Sequence, residues 1–505
     1  MRQPLRSGLG WADDARMQIT RHKPIVTTLK PSNHPYLNGA WTPLHEEVDA
    51  IHLDVIEGDI PRDIDGIYLR NTENQIHQPL GRFHPFDGDG MLHQISFENG
   101  RASYRNRWVR TRCFQAEQEA GGSLWGGLMD RWGTSLRPGF GAHGGLKDAS
   151  STDVVVHAGR AISTFYQCGE AYLLDPETLE TIGPAHWGPL DGVSAHPKVD
   201  ERTGELMFFN YSTHAPYMHY GLVDAEGRLV HYRPIPLPGP RLPHDMAFTD
   251  NFVILNDLPL HWDAEALKQN AHVVRMHERP SRFAIVPRRG DGDIRWFEAA
   301  PTFVLHWTNA YEDGDEIVLD GYFQSNPEPG KFKGAPAGYE HMMGHLDEHT
   351  FQSRLHRWRF NLKDGTTKEE RLDERILEFG TINQRFAGHR YRYVYSTKAK
   401  PGWFLFNGFV KHDLETGSSV ELDLAEGRYA SEAPFAPRIG ASEEDDGYIV
   451  SFITDENTGA SECILIDCKR FAAGPVVRIA LPHKLCSGTH ACWADREFLR
   501  QGKRP

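Results

Sequence analysis

The sequence predicts an all-β protein, built as a β-propeller or a large closed barrel. Short alternating runs recur with a glycine turn between them, as in HQISFENGRASYRNRWVRT, ERTGELMFF, DLETGSSVEL and DENTGASECILID. No long amphipathic helix pattern competes with these runs. Strands also do not alternate with helices, as they would in a parallel α/β protein. A large β architecture can accommodate the whole chain as a single unit.

The first clear element is a hairpin around Asn99 and Gly100, a dipeptide that readily supplies the positive φ angles of a tight turn. Similar strand pairs follow through most of the remaining chain. The segments 112–148 and 325–350 break this rhythm and predict loops or short helices over one face. Residues 1–48, punctuated by proline and glycine, predict a segment that wraps the surface. Residues 49–505 predict one domain, because no linker divides them.

Composition narrows the classes of function. The 505 residues carry a formal net charge of −14 and no basic stripe, which argues against nucleic-acid binding. No run of about 18 apolar residues is present, so a membrane span is not expected. The six cysteines are sparse, show no CxxC pattern and suit a reduced compartment. The first residues lack the apolar stretch of a secretory signal, and we expect a cytoplasmic protein.

Four histidines in distinctive settings are the candidate functional residues: His196 in SAHPKVD, His244 in RLPHDMAF, His306 in FVLHWTNAY and His490 in GTHACW. Their separations of 48, 62 and 184 residues exclude a local hairpin site, so only the global fold can bring them together. Four neutral imidazoles suit a borderline divalent metal such as iron, zinc, copper or nickel. Spacing alone does not connect them, since a lone buried histidine is more commonly a core residue.

Longer segments connect the four histidines. The chain reads DGIYLRNTENQ, FHPFDGDGMLHQISFENG, SAHPKVDERTGELMFF, HDMAF, HWTNAYEDGDEIVLDG, EFGTIN, SEAPFAPR and GTHACW, in that order. Together these segments, over roughly residues 50–495, resemble the carotenoid cleavage oxygenase family. The resemblance implies a seven-bladed β-propeller with a helical and loop cap over the metal face.

The same resemblance implies iron(II) held by His196, His244, His306 and His490. It also implies carboxylates that accept the second ring N–H of the ligands. Two of these match Glu378 and Glu432, and the register places Gln167 at the third position, where the family has a glutamate. Thr152 matches a threonine beside the oxygen site.

The implied reaction is cleavage of a conjugated C=C bond by O2, with one oxygen atom in each of two carbonyl products. The alkene supplies the electrons, and the sequence shows neither a nicotinamide nor a flavin fingerprint. An apocarotenoid-like polyene is the favoured substrate, and contact with a membrane surface stays open. The alternative is an aryl alkene such as resveratrol, isoeugenol or 4-vinylguaiacol, although no lysine stands where bacterial stilbene cleavers carry one. The candidate lining residues for either substrate are Phe114, Trp125, Phe165, Tyr166 and Trp307.

Other classes of function also stay open at the level of sequence. Many propellers are binding scaffolds without activity, because a fold does not determine a function. The family resemblance also includes isomerases, which keep the four histidines without cleaving their substrate.

Overall fold

The computed structural model describes residues 16–138, 146–187, 192–263, 265–266, 273–327 and 330–501. These residues form seven antiparallel units of four main strands each, which confirms the all-β propeller. The hairpin predicted around Asn99 and Gly100 is present, with φ angles of 52° and 74° at the two turn residues. The side-chain alternation and the turn chemistry therefore lead to the same local structure.

The first blade joins both ends of the chain. Its strands, from the inside outward, are Ala491–Asp495, Gly66–Asn74, Asp89–Glu98 and Arg101–Trp108, with Val48–Ile51 and Gln18–Arg21 added at the outer edge. The innermost strand comes from the C-terminal region and pairs antiparallel with Gly66–Asn74. This pairing joins the C-terminal region to the first blade and closes the ring of blades.

Blades two to five follow in chain order, each running outward from its innermost strand. The strands of blade two are Asp153–His157, Arg160–Thr164, Tyr172–Leu174 and Thr181–Pro184, and those of blade three are Lys198–Asp200, Glu205–Tyr211, Met218–Val223 and Leu229–Pro234. The strands of blade four are Ala247–Phe248, Phe252–Asp257, Ser281–Pro287 and Arg295–Ala299, and those of blade five are Trp307–Asp313, Glu316–Gln324, Ser353–Asn361 and Thr367–Arg371. The fourth blade also carries a small hairpin of Leu260–Trp262 and Val274–Met276.

Blades six and seven share one extended sheet. Their strands are Leu377–Thr381, Tyr393–Ala399, Phe406–Asp413 and Ser418–Asp423, then Phe435–Pro437, Gly447–Asp455, Ala460–Asp467 and Pro475–Ala480. Strand Arg428–Ala430 pairs with both units and links them, and Val55–Gly58 adds to the outer edge of blade seven. Buried apolar side chains pack between neighbouring blades, for example Tyr68, Phe452 and Ile479 between blades one and seven.

Helices are short and lie between the strands. The α-helices are Arg112–Ala120, Glu340–Gly344, Glu348–Phe351 and Arg496–Gln501, and the 3-10 helices are Pro35–Leu37, Gly39–Trp41, Pro85–Asp87, Trp132–Thr134, Gln384–Phe386 and Cys468–Ala473. The segments 112–148 and 325–350 contain short helices and loops, as expected, apart from 139–145 and 328–329, which lie outside the described residues. Among the described helices, none is long and apolar enough to cross a membrane.

The predicted division at residue 48 stays a prediction. Within the N-terminal part, Gln18–Arg21 lies exposed on the outer edge of the first blade. Tyr36 and Trp41, by contrast, are buried, and the Tyr36 hydroxyl accepts a hydrogen bond of 3.0 Å from the Phe404 amide. This segment therefore contributes side chains to the interior as well as covering the surface.

Candidate metal centre

The four candidate histidines lie at the entrances of four innermost strands. His306 and His490 directly precede Trp307–Asp313 and Ala491–Asp495, and His196 and His244 stand two and three residues before Lys198–Asp200 and Ala247–Phe248. Innermost strands of neighbouring blades contact one another around the propeller axis. Because each strand begins at the same end of the propeller, the four side chains meet there.

The four imidazole rings form one compact cluster. One ring nitrogen from each residue lies within 4.8 Å of those of the others. The Nε2 atoms of His196 and His244 are 3.1 Å apart, and the ring centroids of His306 and His490 are 4.6 Å apart. His196 and His490, which are 490 − 196 = 294 positions apart in the chain, are thus neighbours at the hub, with ring centroids 4.4 Å apart.

Carboxylates hold three of the four rings from behind. Their contacts join His196 Nδ1 to Asp153 Oδ2 at 2.8 Å, His306 Nδ1 to Glu378 Oε2 at 2.6 Å, and His490 Nδ1 to Glu432 Oε2 at 3.2 Å. With Nδ1–H donating to a carboxylate, the lone pair of each ring resides on Nε2 and points toward the cluster. For His244, the described part of the chain shows no carboxylate in this position.

These carboxylates come from the three blades that supply no histidine. Asp153 is the first residue of its innermost strand, Glu378 is the second residue of Leu377–Thr381, and Glu432 stands three residues before Phe435–Pro437. Every blade therefore contributes one histidine or one carboxylate to the hub. This arrangement explains why the functional residues are spread over most of the chain.

Burial controls the electrostatics of the cluster. Desolvation and the neighbouring imidazoles push the pKa of His196 well below its ordinary value of 6.5, and the pKa of His306 falls for the same reasons. Burial also lowers the pKa of His490, but Glu432 and Asp153 more than offset it and the net change is upward. Burial raises the pKa of Asp153 to about 7. A cation at the cluster would counter this cost by stabilising the ionised carboxylates.

Asp153 takes the place that the sequence assigned to Gln167. Gln167 is buried, but its Oε1 atom accepts no hydrogen bond from any described residue. The reason is geometric, because Asp153 opens the innermost strand of blade two and Gln167 follows the next strand outward. The signal in the sequence was a single charged residue at the start of the apolar run DVVVH. Glu378 and Glu432, in contrast, contact His306 and His490.

The donor set fits a divalent metal ion. Four neutral imidazoles can turn their Nε2 lone pairs to a common point, and carboxylates hold three of the four rings. Nε2 of His306 is buried and has no hydrogen-bond partner among the described residues, as expected of a ligand atom rather than a core histidine. The carboxylates behind the rings also supply negative charge to offset the charge of +2 that neutral ligands leave uncompensated.

Phe379 forms an aromatic wall that sequence reasoning did not identify. Its ring stacks on His306 with centroids 4.8 Å apart and meets His490 edge-on at 4.9 Å. The residue has a φ of 51°, in the left-handed region, where the pairing with strand Tyr393–Ala399 is irregular. A bulky residue rarely adopts this conformation, so the local geometry turns the ring toward the histidines at a conformational cost.

An apolar cavity of about 860 Å³ lies on the side of the cluster where the strands begin. Three of the histidines line it, namely His244, His306 and His490. Its remaining lining includes Phe86, Thr152, Tyr166, Leu242, Leu305 and Phe404. Oγ1 of Thr152 accepts a 3.1 Å hydrogen bond from the Tyr166 amide, which fixes both residues beside the cluster.

The other predicted lining residues lie elsewhere. Phe165 and Trp125 border a separate pocket of about 480 Å³. Phe114 packs in a small core cluster against Trp108. Trp307 packs against Trp358 and borders a pocket with both polar and apolar lining. Of the five aromatic residues, Tyr166 alone lines the apolar cavity, because apolar side chains in a β-rich protein more commonly fill the space between sheets.

The pocket bordered by Trp307 lies on the opposite side of the cluster, among the innermost strands. It measures about 1140 Å³ and includes His196, His306 and His490 in its lining. Nζ of Lys198 and Oδ1 of Asp245 form an ion pair of 2.7 Å there. The histidine cluster thus separates an apolar cavity from a pocket with both polar and apolar lining.

Comparison with known proteins gives one consistent result. The family model described as RPE65, retinal pigment epithelial membrane protein, matches residues 41–495. The chain is 32% identical to carotenoid 9,10(9′,10′)-cleavage dioxygenase 1 of Pisum sativum, over 93% of this chain and 91% of the relative. It is also 32% identical to isoeugenol monooxygenase of Pseudomonas putida, over 92% of this chain and 98% of the relative.

Solved structures agree with these relatives. Lignostilbene dioxygenase of Pseudomonas brassicacearum superposes with a TM-score of 0.81 at 27% identity, over 93% of this chain and 100% of that one. A cobalt-substituted Synechocystis ACO superposes with a TM-score of 0.79 at 25% identity, over 90% and 97%. The whole propeller, rather than a part of it, therefore corresponds.

Proposed function

The chain belongs to the RPE65/carotenoid cleavage oxygenase family, and from this membership we propose that it is a non-haem iron(II) dioxygenase that cleaves a conjugated C=C bond. The observation that carries the proposal is the buried cluster of four histidines, three of them held by carboxylates, on the wall of an apolar cavity. His196, His244, His306 and His490 would hold the iron. When bound, iron(II) supplies the redox chemistry by which O2 reacts with an alkene.

The chain's own residues determine the ligand geometry. Asp153, Glu378 and Glu432 fix the rings of His196, His306 and His490, so that Nε2 stays unprotonated and correctly turned. Thr152 lies on the cavity wall beside the cluster, and we propose that its side chain narrows the space for O2. Gln167 contributes no ligand contact in this proposal.

The apolar cavity would hold the alkene next to the cluster and exclude water. The overall reaction balances without a further reductant. Both bonds of the C=C unit and the O–O bond break, and two C=O bonds form. The proposal therefore needs neither a nicotinamide nor a flavin.

An apocarotenoid-like polyene is the substrate we favour, in line with the carotenoid-cleaving relative. An aryl alkene is the second candidate, because isoeugenol monooxygenase has the same 32% identity and lignostilbene dioxygenase superposes over 93% of this chain. For the cell, we propose a cytoplasmic enzyme that can reach apolar substrates at a membrane surface.

A substrate panel under ¹⁸O2 tests the function. The iron-loaded protein would be incubated with β-apo-8′-carotenal, resveratrol, isoeugenol and 4-vinylguaiacol without nicotinamide or flavin. Because aldehyde oxygens exchange with water, products would be reduced at once and then weighed by mass spectrometry. We expect two fragments, each with one heavy oxygen. An unlabelled product of unchanged mass would instead identify an isomerase, and no product with any alkene would favour a binding scaffold.

A further inference from the structure

Two polar side chains in the wall of the apolar cavity have no partner. Glu348 is 1% exposed and Gln324 is 0% exposed, and both line the cavity together with His306. Neither carboxyl oxygen of Glu348 and neither amide atom of Gln324 has a hydrogen-bond partner among the described residues. Buried polar groups in native proteins are rarely left unpaired, so these four atoms call for a ligand.

The backbone holds both residues in place. Gln324 is the last residue of strand Glu316–Gln324, and its backbone N–H donates to Phe303 O at 3.2 Å and to Thr302 Oγ1 at 3.1 Å. Glu348 is the first residue of helix Glu348–Phe351. At the other end of this helix, the Asn326 backbone N–H donates a 3.0 Å hydrogen bond to Phe351 O. The unpaired side chains are therefore part of a fixed wall and not of a loose loop.

Ser353, which pairs with Gln324 in the sheet, is a polar neighbour of Glu348. The rest of the surrounding wall consists largely of apolar side chains, among them Leu242, Phe303, Leu305, Leu346 and Phe351. A pure hydrocarbon in this cavity would bury the carboxyl and the amide without satisfying either. A substrate that carries a matching polar group would satisfy both and still fill the apolar space.

The chemistry of the pair indicates which polar group fits. Burial and the neighbouring Asp347 raise the pKa of Glu348, whereas Ser353 lowers it. The Glu348 carboxyl accepts a hydrogen bond in either protonation state, and the primary amide of Gln324 can donate one and accept another. A hydroxyl group can donate to the carboxyl and accept from the amide, whereas an ether oxygen only accepts. A carboxylate would find no positive charge on this pair.

We propose that Glu348 and Gln324 bind a hydroxyl group of the alkene substrate, so that the enzyme selects hydroxylated alkenes over their ether or hydrocarbon analogues. This inference rests on the proposed function, because it assigns the substrate of the same cavity. The hydroxyl group can belong to a phenol or to a ring alcohol of a polyene, and the experiment separates these two sources.

Equilibrium binding without oxygen tests the inference apart from turnover. The iron-loaded protein would be titrated with two matched pairs: 4-hydroxystilbene with 4-methoxystilbene, and 3-hydroxy-β-apo-8′-carotenal with β-apo-8′-carotenal. In at least one pair, we expect the hydroxylated member to bind about tenfold more tightly or better, because its analogue leaves a buried partner unsatisfied. The pair that discriminates identifies the source of the hydroxyl group. If both pairs bind within twofold, the inference is wrong.

Variants assign the selectivity to these residues. Glu348→Leu and Gln324→Leu should each reduce the discrimination to within about threefold. Glu348→Gln, the matched control, should keep most of it, because an amide still donates and accepts. Should Glu348→Leu fail to fold, Gln324→Leu and Glu348→Gln still decide the question. Unchanged discrimination in Gln324→Leu would show that the amide takes no part.

A second reading assigns Glu348 an indirect role through the carboxylate of Glu378, whose pKa is raised by burial and by Glu348. In that case Glu348→Leu would weaken iron binding and affect both members of a pair equally, which would overturn the inference. The proposed function fails separately. Selective hydroxyl binding without labelled cleavage of any alkene would refute the enzyme and leave the binding site standing. Equal cleavage of both members of each pair would refute the hydroxyl selectivity and leave the proposed enzyme standing.

Discussion

Nδ1 of His196 lies 2.8 Å from Oδ2 of Asp153, across the boundary between blades three and two. Glu378 meets His306 and Glu432 meets His490 across two further blade boundaries. Each of these contacts both orients a ring and joins two blades at the hub. The packing of the blades and the geometry of the proposed metal site are thus coupled, and changes to either should affect the other.

His306→Ala should abolish bound iron and alkene cleavage together. The substitution leaves only three imidazoles at the cluster, and Glu378 loses the imidazole ring that it contacts. Iron content, measured by inductively coupled plasma mass spectrometry after loading and desalting, checks this. The control is His214→Ala, at an exposed histidine in a loop. Full iron content in His306→Ala would remove this residue from the ligand set.

Asp153→Ala should lower iron affinity about 10- to 100-fold, since the loss of the hydrogen-bonded carboxylate frees the His196 ring. Asp153→Asn should fall between wild type and Asp153→Ala, because an amide oxygen still accepts the ring N–H without the negative charge. Competition with a chelator measures the affinity. Gln167→Met is the matched control, at a buried residue whose amide oxygen is unpaired. A stronger effect from Gln167→Met than from Asp153→Ala would favour the register read from the sequence.

Phe379→Ala should destabilise the fold by about 3–5 kcal/mol and weaken iron binding as well. The substitution removes a buried ring and gives no relief of the left-handed backbone, because alanine keeps the β-carbon that makes this conformation unfavourable. Phe404→Ala is the comparison, because Phe404 belongs to the same apolar cluster and contacts Phe379. Its unfolding midpoint should fall similarly while its iron affinity stays close to wild type. If Phe379→Ala and Phe404→Ala lose iron affinity equally, the effect comes from a general loosening of the shared apolar cluster and not from the ring that stacks on His306.

Arg288→Met should cost about 3–5 kcal/mol, because the substitution removes the buried partner of Asp200 and leaves that buried charge only the half-exposed Arg202, 3.7 Å away. Nη2 of Arg288 lies 2.9 Å from Asp200 Oδ2 and 2.7 Å from Glu205 Oε2. Arg289→Met is the control, since Arg289 pairs with Glu205 while half exposed, and it should cost less than about 1 kcal/mol. Urea unfolding at neutral pH compares the three proteins.

The ion pair between Arg288 and Asp200 predicts that the stability of the fold depends on pH. Burial raises the pKa of Asp200, but the bonds and charges of Arg288 and Arg202 more than offset it and hold that pKa below 3.8. A lowered folded-state pKa stabilises the protein above pH 3.8, and this contribution is lost as the pH falls through the folded-state value. The difference in unfolding free energy between wild type and Arg288→Met should therefore shrink below pH 3.8. A difference that grows on acidification would contradict this assignment.

The sequence by itself determined the local structure and the family. Alternating side chains with turn residues such as Asn99 and Gly100 specify hairpins, because strand and turn preferences depend on neighbours in the chain. The order of motifs was enough to name four histidines, Glu378 and Glu432 as candidates. Glu378 and Glu432 were named through the resemblance of their segments to the family, whereas His306 also stands out by interrupting the apolar run FVLHW.

Only the tertiary structure decided which residues meet. Asp153 rather than Gln167 faces His196, and Tyr166 rather than Phe114 or Trp307 lines the apolar cavity. The unpaired Glu348 and Gln324 share that wall although they come from a helix and a strand. The physical reason is that a closed ring of blades brings the beginnings of seven innermost strands to one hub. The depth of a side chain within that hub depends on where its strand begins relative to the other six, which no local pattern encodes.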